Sequence, residues 1–257
     1  MDTLTTKPVK ISVITAVYNN VDHIEACIES LLAQTFSNIE HIVVDGGSTD
    51  GTLEILRKHV SRFAVLISEP DRGICDAWNK GLSAASGDVI GFLHSDDYFS
   101  HDHVLERIAL RFENPDVDAV YSDLDYVSQV DSMTVVRSWR SKPFNPRSIG
   151  FGWMPAHPTL FVRQSFYKPN GYFNLGFAIS GDYLSILQMF MRPGFNAAYI
   201  PEVTIKMRLG GVSNAYKNLL RKSLEDFKAL RLVGYSTTRS AFVVFFKMAQ
   251  KIGQFLN

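Results

Sequence analysis

Through the first 115 residues, apolar runs of strand length alternate with segments whose apolar residues recur at helical spacing. Residues 11–17 (ISVITAV) and 40–45 (EHIVVD) are rich in β-branched residues, as strands buried on both faces are. Between them, Ile24, Ile28 and Leu31 share one helix face. The pattern continues with strands predicted over 63–68 and 89–93 and with helices marked by Leu53 and Leu56, by Trp78 and Leu82, and by Leu105 and Ile108. This alternation is typical of βαβ units and predicts an α/β fold with a mostly parallel central sheet.

The second half of the chain is less regular. Strands are predicted over 119–121 and 134–139, a loop rich in Pro and Gly over 143–158, and a helix that ends at Pro193. Residues 215–257 are expected to form basic helices. We therefore predict one domain over residues 1–214 and a C-terminal helical tail over 215–257. At the start of the first helix, Asp22 and Glu25 have the spacing of a capping box.

Composition narrows the possible classes of protein. The chain has 257 residues, of which 46% are hydrophobic, so a sizeable core is expected. The formal net charge is zero, which gives no reason to expect a nucleic-acid partner. Cys27 and Cys75 form no CxxC pair, so neither a zinc site nor a redox motif is expected. No apolar run reaches the length of about 18 residues that a membrane-spanning helix needs, and we expect a cytoplasmic protein.

Polar and acidic residues follow each of the first four predicted strands. In a parallel sheet these positions meet at one edge, where ligands bind. Tyr18 follows the first strand, Asp45 ends the second, Asp71 and Arg72 follow the third, and Asp96 and Asp97 follow the fourth.

Adjacent carboxylates such as Asp96 and Asp97 repel each other unless a cation lies between them. Mg²⁺ or a similar ion binds through one or two carboxylates together with phosphate oxygens and water. The alternative is a solvated turn that caps the next helix, which these two residues alone favour narrowly. Asp45-Gly46-Gly47 likewise suits either a close-approaching ligand or an ordinary glycine-rich turn.

Asp182 opens a predicted helix. It is either a capping carboxylate that suits the helix dipole or a general base that takes a proton from an attacking hydroxyl. His157 could bind a metal or an acceptor, although a lone histidine is more often structural. No GxGxxG, P-loop or GxSxG motif occurs in the positions that would indicate a dinucleotide, a triphosphate or a serine nucleophile.

Taken together, these stretches resemble the family-2 glycosyltransferases of the A-type fold. The stretches that match are SVITAVYN from Ser12, QTF from Gln34, VVDGGSTDGT from Val43, SEPDRGI from Ser68, NKG from Asn79, ASGD from Ala85, SDD from Ser95, HPT from His157 and RLGGVS from Arg208. The match covers roughly residues 10–213, and the ordered set is far more specific than any one stretch. The resemblance implies a single Rossmann-like domain with a nucleotide-sugar half over about 9–100 and an acceptor half over about 101–214.

The resemblance also implies roles for the site residues. Substrate binding is assigned to Tyr18, Asp45, Asp71, Arg72, Asp96, His157 and Arg208. Among these, Asp45 and Asp71 would face the nucleoside, which is usually uridine. Asp97, with Asp96, would bind Mn²⁺ or Mg²⁺ on the diphosphate, and Asp182 would be the catalytic base.

Two positions depart from the family pattern. The family often has a second acid directly after the one at position 45, where this chain has Gly46, so Asp45 alone would carry that part of the nucleoside contact. Cys75 stands where a tyrosine is common in the most similar branch, so part of the pocket wall is expected to differ.

The implied activity is that of an inverting, metal-dependent hexosyltransferase. It would move a sugar from a nucleotide diphosphate sugar to a hydroxyl group. The chain most resembles the branch that builds bacterial surface polysaccharides, such as lipopolysaccharide and exopolysaccharide, so a lipid-linked saccharide is the expected acceptor. Two alternatives remain, a nucleotidyltransferase and a non-catalytic sugar-nucleotide-binding protein. A nucleotidyltransferase would want a basic, glycine-rich loop after the first strand, and Tyr18-Asn19-Asn20 offers none.

The C-terminal segment allows two interpretations. Cations at Lys217, Arg221, Lys222, Lys228, Arg231, Lys247 and Lys251 are interspersed with apolar residues such as Leu224, Phe227, Phe242, Phe245 and Phe246. Basic amphipathic helices of this kind lie on anionic membrane surfaces, which here would be the cytoplasmic face of the inner membrane. The alternative is a pair of helices packed on the domain with solvated lysines.

Overall fold

The computed structural model describes residues 9–167, 172–210 and 219–253, with side chains through residue 248. The strands are β1 (Ile11–Val17), β2 (Ile39–Asp45), β3 (Val65–Ser68), β4 (Val89–Phe92), β5 (Tyr98–Phe99), β6 (Ala119–Val127), β7 (Val135–Trp139), β8 (Phe161–Arg163) and β9 (Ala197–Arg208). The helices are α1 (Ile24–Leu32), α2 (Thr52–Lys58), α3 (Ile74–Ala84), α4 (Val104–Phe112), α5 (Pro146–Ile149), α6 (Gly181–Phe190), α7 (Leu219–Leu232) and α8 (Thr237–Gly253). The predicted α/β class is confirmed.

All strands of the described segments join one sheet in the order β3-β2-β1-β4-β8-β6-β9-β5, and β7 pairs with β6 beside this path. The first four strands pair in parallel. β1 runs with β2 from Ile11 opposite Ile39 to Val17 opposite Asp45, and Ile11 also lies opposite Val89 of β4. The four carboxyl ends therefore meet at one edge, as the sequence predicts.

The other half of the sheet is mixed. β8 is antiparallel to both β4 and β6, and β7 is antiparallel to the end of β6, whereas β9 runs parallel to β6 along its whole length. Neither β8 nor β9 is predicted from the sequence pattern. β9 contains Pro201 and the pairing shifts register between Ser122 and Leu124. A proline and an irregular register obscure the alternation by which strands are recognised.

Two hydrophobic cores flank the sheet because successive β1 residues point to opposite faces. Ile14 and Ala16 lie in the core that α3, α6, α7 and α8 cover, whereas Val13 and Val17 lie in the core that α1, α2 and α4 cover. Gly81 of α3 lies directly against Ile14, and a β-carbon at position 81 would overlap the Ile14 side chain. This close approach fixes α3 against the strand that leads into the cleft described below.

The helices α7 and α8 pack on the domain. Ala229 and Leu230 of α7 and Val243 of α8 are fully buried in the same core as α3 and α6. Across the described residues, none of the helices has both the length and the apolarity that crossing a membrane requires. The expected capping box is wrong, because α1 begins after His23 and has no side-chain cap.

A buried carboxylate ties the amino ends of the central strands together. Glu40 on β2 accepts hydrogen bonds from the Ser12 hydroxyl at 2.5 Å and from the backbone N–H groups of Ser86 at 2.6 Å and Gly87 at 3.0 Å, and it forms an ion pair with Lys10. Burial opposes these contacts, but together they lower the pKa of Glu40 from 4.5 to about 2. The Ser86-Gly87 motif thus has a structural role at the edge opposite the cleft.

We predict that Glu40→Gln destabilises the protein by about 2 kcal/mol at neutral pH, because the amide replaces one acceptor with a donor that faces other donors. The folded-state pKa lies below the unfolded one, so the Glu40 contribution is complete above pH 4.5 and is lost as the pH falls toward 2. Urea unfolding of wild type between these pH values should show a slope that the variant lacks. The control is Glu113→Gln on the exposed end of α4, and an identical slope in Glu40→Gln would contradict the assignment.

Candidate active site at the carboxyl edge of the sheet

A cleft of about 1710 Å³ opens at the carboxyl edge of the sheet. Of the nine residues to which the sequence assigned site roles, five line it: Tyr18, Asp71, Asp96, His157 and Asp182. These five come from segments that are far apart in the sequence, and the fold brings them to one place. The other four, Asp45, Arg72, Asp97 and Arg208, do not line the cleft.

The loop after β1, which carries Tyr18, is hydrogen-bonded to the loop after β2. Asn19 donates its backbone N–H to the Ser48 hydroxyl at 2.8 Å, and its side-chain oxygen accepts from the Thr49 backbone N–H at 2.8 Å. The Asn20 amide donates to the Ser95 hydroxyl at 2.9 Å. Asn19 takes a positive φ of 48°, which asparagine tolerates better than most residues. These bonds join the loops after β1, β2 and β4 into one rim.

Asp45 is fully buried at the end of β2 and does not face the cleft. Its carboxylate accepts a hydrogen bond from the Ser68 hydroxyl at 2.7 Å and from the backbone N–H of Ser48 at 3.2 Å. The carboxylate therefore ties the glycine-rich turn to β3. The geometry gives Asp45 a structural task in place of the direct nucleoside contact that the resemblance implies.

Gly46 leaves room for Asp71. A β-carbon at position 46 would lie 2.5 Å from the Asp71 Oδ2 atom and 3.4 Å from the Tyr18 ring. Tyr18 is 63% exposed and lines the cleft with Asp71. The missing second acid of the family motif thus has a steric explanation, because no side chain fits between Tyr18 and Asp71 as they are placed.

Asp96 and Asp97 have different surroundings. Asp96 is half-buried and lines the cleft, whereas Asp97 is fully buried and its carboxylate has no side-chain hydrogen-bond partner among the described residues. Burial, reinforced by the charge of Asp96, raises the pKa of Asp97 well above its usual range, although the backbone N–H and the charge of Arg208 oppose this. The predicted metal role of Asp97 therefore does not match its position, and Asp96 is the acid of this pair that a ligand in the cleft can reach.

The two arginines lie outside the cleft wall. Arg208 is buried, donates from Nη1 to the backbone carbonyl of Asp96 at 2.6 Å, and lies over the Tyr98 ring at 4.9 Å. It supports the turn that presents Asp96. Arg72 is exposed and paired with Asp76 at 3.2 Å, one helical turn away. Neither side chain is placed to contact a ligand in the cleft as it stands.

His157 belongs to an aromatic cluster at the wall of the cleft. Its ring lies 5.1 Å from that of Trp78 and 5.4 Å from that of Phe92, with His94 close by at 5.7 Å. Burial lowers the pKa of His157 to about 4, although the nearby charge of Asp182 raises it. The imidazole is therefore neutral at neutral pH, and it contributes a polar edge to an otherwise apolar wall.

Asp182 lies in the first turn of α6, where the helix dipole favours a carboxylate. Its Oδ1 atom accepts the Tyr183 backbone N–H at 2.7 Å. The preceding loop is clamped by Glu225 of α7, whose carboxylate accepts the backbone N–H groups of residues 178 at 3.2 Å, 179 at 2.8 Å and 180 at 2.9 Å. Those bonds fix the start of α6 and so the position of Asp182.

Sequence reasoning missed Glu225, Lys222 and Lys247. Lys222 and Lys247 line the cleft, and Lys247 pairs with the buried Asp226 at 2.7 Å. The sequence predicts a basic amphipathic tail, and the acids in it belong to no motif. The adjacent acids Glu225 and Asp226, on the apolar side of the cationic helix α7, were the one signal that could have pointed to a role for this segment.

Cys75 does not form part of the cleft wall. Its thiol is buried, donates to the Phe177 carbonyl at 3.5 Å, and touches Gly181 so closely that a β-carbon there would overlap it. The expected alteration of the pocket wall at this position is therefore wrong in detail. The small side chain lets α3 approach the start of α6.

The side chains available as ligands decide which metals fit the cleft. No group of three or more His, Cys, Asp or Glu side chains within the described segments is placed to hold an ion. Of the adjacent acids Asp96 and Asp97, only Asp96 lines the cleft with its carboxylate. This arrangement does not fit a metal held wholly by protein ligands. It fits Mg²⁺ or Mn²⁺ bound mainly by diphosphate oxygens and water.

Residues 12–174 match the family described as Glycosyl transferase family 2. The chain belongs to this family and is a glycosyltransferase. An uncharacterized glycosyltransferase of Mycobacterium tuberculosis is 35% identical over 69% of this chain and 68% of its own length. A glycosyltransferase of PGL/p-HBAD biosynthesis from Mycobacterium bovis is 28% identical over 79% of this chain and 78% of its own length.

Solved structures share the fold. Staphylococcus aureus TarS residues 1–349 in complex with UDP-GlcNAc superimpose with a TM-score of 0.66 at 22% identity, over 91% of this chain and 70% of that one. The mannosyltransferase PcManGT from Pyrobaculum calidifontis, in complex with GDP-Man and Mn²⁺, gives 0.68 at 18% identity, over 94% and 70%. The chain covers 41% of the longer TarS chain. The A-type fold that the sequence resemblance implied is confirmed.

A side chain in the space beside Gly46 should weaken binding of the nucleotide sugar. We predict that Gly46→Ala displaces Asp71 and raises the KM for the nucleotide sugar about tenfold, the cost of one hydrogen bond to a charged group. Asp71→Asn should do the same, and the double variant should be no worse than either single one, because both act on one contact. Initial rates against donor concentration measure this. Fully additive effects would show that Gly46 acts independently of Asp71.

Loss of the three backbone hydrogen bonds that Glu225 accepts should lower turnover. We predict that Glu225→Gln lowers kcat at least about tenfold and leaves the donor KM unchanged, because the amide confronts three N–H donors at the start of α6 while the donor loops are untouched. Arg221→Gln removes the ion pair to Glu225 and keeps the three backbone bonds, so it serves as the matched control. Equal kcat values for the two variants would contradict the clamp.

Proposed function

We propose that the protein is an inverting, metal-dependent hexosyltransferase that moves a sugar from a UDP-sugar to a hydroxyl of a lipid-linked saccharide during assembly of a bacterial surface glycan. The observation that carries the proposal is the convergence of Asp71, Asp96 and Asp182 on one cleft at the carboxyl edge of the sheet. Ligands of open α/β sheets bind at this edge. The relative in PGL/p-HBAD biosynthesis and the TarS complex with UDP-GlcNAc support the substrate classes.

The donor binds on the side of the cleft formed by residues 9–100. The Tyr18 ring offers a flat surface for the nucleobase, and the Asp71 carboxylate beside it accepts hydrogen bonds from the base or the ribose. Asp22 and Asp50 also line this side. An uncompensated diphosphate would be repelled by so many acids, which supports binding of the donor together with a cation.

Asp96 is the residue that would hold the cation. The ion, when bound, offsets the charge that develops on the departing diphosphate. Asp97 is buried beside Asp96, and Arg208 fixes the turn that carries both through the Asp96 carbonyl. These residues therefore set where the leaving phosphates lie, while Asp96 alone makes the contact.

Asp182 acts as the general base. It removes the proton from the acceptor hydroxyl as the hydroxyl oxygen bonds to the anomeric carbon and the bond to the diphosphate oxygen breaks. The anomeric centre passes through an oxocarbenium-like transition state. A single displacement at that carbon inverts its configuration, and the cleft holds no second carboxylate on the acceptor side, among the described residues, that would serve as a covalent nucleophile.

The acceptor side carries positive charge. All the lysines and arginines of the described cleft wall come from residues after 100: Arg137, Arg140, Lys142, Lys222 and Lys247. A saccharide linked to a lipid through phosphate would suit this wall, whereas a neutral sugar acceptor would not need it. Such an acceptor is anchored in a bilayer, so the enzyme would work at the cytoplasmic face of the inner membrane as a peripheral protein.

A panel of nucleotide sugars, assayed for release of nucleoside diphosphate with and without Mn²⁺ or Mg²⁺, tests the proposal. We expect a UDP-sugar to be used and chelation to stop turnover. Asp182→Asn should lower kcat at least about a thousandfold, within the range that general-base catalysis supplies together with positioning. Asp96→Asn should raise the metal concentration needed for half-maximal rate at least about tenfold.

Asp97→Asn is the matched control for Asp96→Asn, because it removes the neighbouring acid from a site that does not reach the cleft. Its metal requirement should stay that of wild type. Release of pyrophosphate would indicate a nucleotidyltransferase instead. Retained anomeric configuration in the product, or full activity in Asp182→Asn, would contradict the mechanism.

A further inference from the structure

One side of α8 is exposed and aromatic. Phe242, Phe245 and Phe246 are three and four residues apart, so they share a face, and Phe245 is 71% exposed and Phe242 52%. The Phe242 and Phe246 rings stack at 6.1 Å, and Phe151 after α5, itself 53% exposed, lies 6.4 Å from Phe246. These four phenylalanines form what we call the aromatic face. The opposite side of α8 is buried through Val243, so the helix is packed on one side only.

A cationic pocket adjoins the aromatic face. A cavity of about 400 Å³ between α5, the end of α6 and the start of α8 is lined by Arg147, Arg192 and Arg239, which we call the arginine pocket, and none of its lining residues is acidic. The Arg239 guanidinium lies 4.2 Å over the Tyr235 ring and that of Arg192 lies 5.2 Å over Phe166. Stacked guanidinium groups are held in orientation and present their N–H edges to planar or tetrahedral anions such as phosphate.

The two features lie on one surface. Gly150 lines the arginine pocket next to Phe151 in the chain, and Arg239 lies one turn before Phe242 on α8. The surface also continues into the active-site cleft, because Gly152 and Lys247, which follow Phe151 and Phe246, both line the cleft and touch each other.

We infer that the aromatic face and the arginine pocket form a docking surface for an anionic lipid bilayer, with the phosphate of a lipid headgroup in the arginine pocket and the phenylalanines in the interfacial region. Exposed aromatics beside basic groups are the combination by which proteins hold to anionic membrane surfaces. An apolar partner protein would offer no anion to Arg147 and Arg239. A second copy of this chain in a twofold contact would set arginines against arginines, and four phenylalanines cover far less than the roughly 800 Å² per partner of a stable dimer.

Docking in this way sets the cleft beside the bilayer. The wall formed by Gly152 and Lys247 belongs to the cationic acceptor side, so an acceptor anchored in the membrane would enter from the docked surface. This use of the surface rests on the proposed function, whereas the docking itself does not, since it needs neither donor nor acceptor.

Flotation of the full chain with vesicles tests the inference. Wild type should bind vesicles of phosphatidylcholine mixed with phosphatidylglycerol and bind pure phosphatidylcholine far less. Arg147→Gln with Arg239→Gln should weaken binding to the anionic vesicles about 30-fold, and Phe242→Ser with Phe245→Ser at least about tenfold. The single variant Phe245→Ser, at the most exposed position, guards against a folding defect in the double variant.

The matched control is Leu110→Ser with Arg111→Gln on α4, which removes an exposed leucine and an exposed arginine from the opposite side of the sheet. It should bind like wild type. Equal binding by the control and the pocket or aromatic variants, no preference for anionic vesicles, or a wild-type dimer that Phe245→Ser abolishes would overturn the inference. Donor hydrolysis, measured without vesicles, should be the same in all these variants, so a failed activity assay and a failed docking assay are distinguishable.

Discussion

The parallel pairing of β1 with β2 and β4 is the constraint on which the rest of the molecule depends. Val17 lies opposite Asp45, and Ile14 opposite Phe92, so the three strands deliver their following loops to the same edge. A shift of β1 by one residue relative to its neighbours would turn Val13 and Ile14, which are both fully buried, to the wrong faces of the sheet. The register that the two cores enforce is therefore also what brings the chemistry of the cleft together.

The cleft is completed by Asp182, which lies more than a hundred positions after Asp71 in the sequence. Asp182 enters it because α6 packs on α3 through the Cys75–Gly181 contact and because Glu225 of α7 holds the loop before it. Burying the Glu225 carboxylate costs desolvation free energy, but the carboxylate satisfies three backbone N–H donors. Burial raises the pKa of Glu225, and these hydrogen bonds outweigh it, so that the pKa is lowered. The C-terminal helices are in this sense a support of the active site, and Lys247 makes them part of its wall.

The sequence predicted the first half of the fold well because β-branched runs and helical spacing record burial directly, as at Ile11–Val17 and Ile74–Ala84. It predicted which loops meet, because parallel strands leave no choice. It did not separate acids that face the cleft from acids that lie behind its wall: Asp45 and Asp97 are in the most recognisable motifs and are both buried. Whether a side chain at a strand end points up or down depends on the turn that follows, and the N–H groups and hydroxyls around Asp45 belong to that turn and to β3. The role of Glu225 had only the adjacent acid pair as a signal, because its partners are backbone groups of another segment, which no pattern of side chains records.

Charge is unevenly distributed along the cleft, although the chain as a whole has zero net charge. Acids of the first half, such as Asp71 and Asp96, line the donor side, and the basic residues of the second half line the other. Under the proposed function, a donor diphosphate would bind at the acidic side together with a cation, whereas an anionic acceptor would bind at the basic side. The positive charge of the cleft thus comes from the mixed half of the sheet and from the two C-terminal helices, and under the proposed function each substrate has a distinct end of the same cleft.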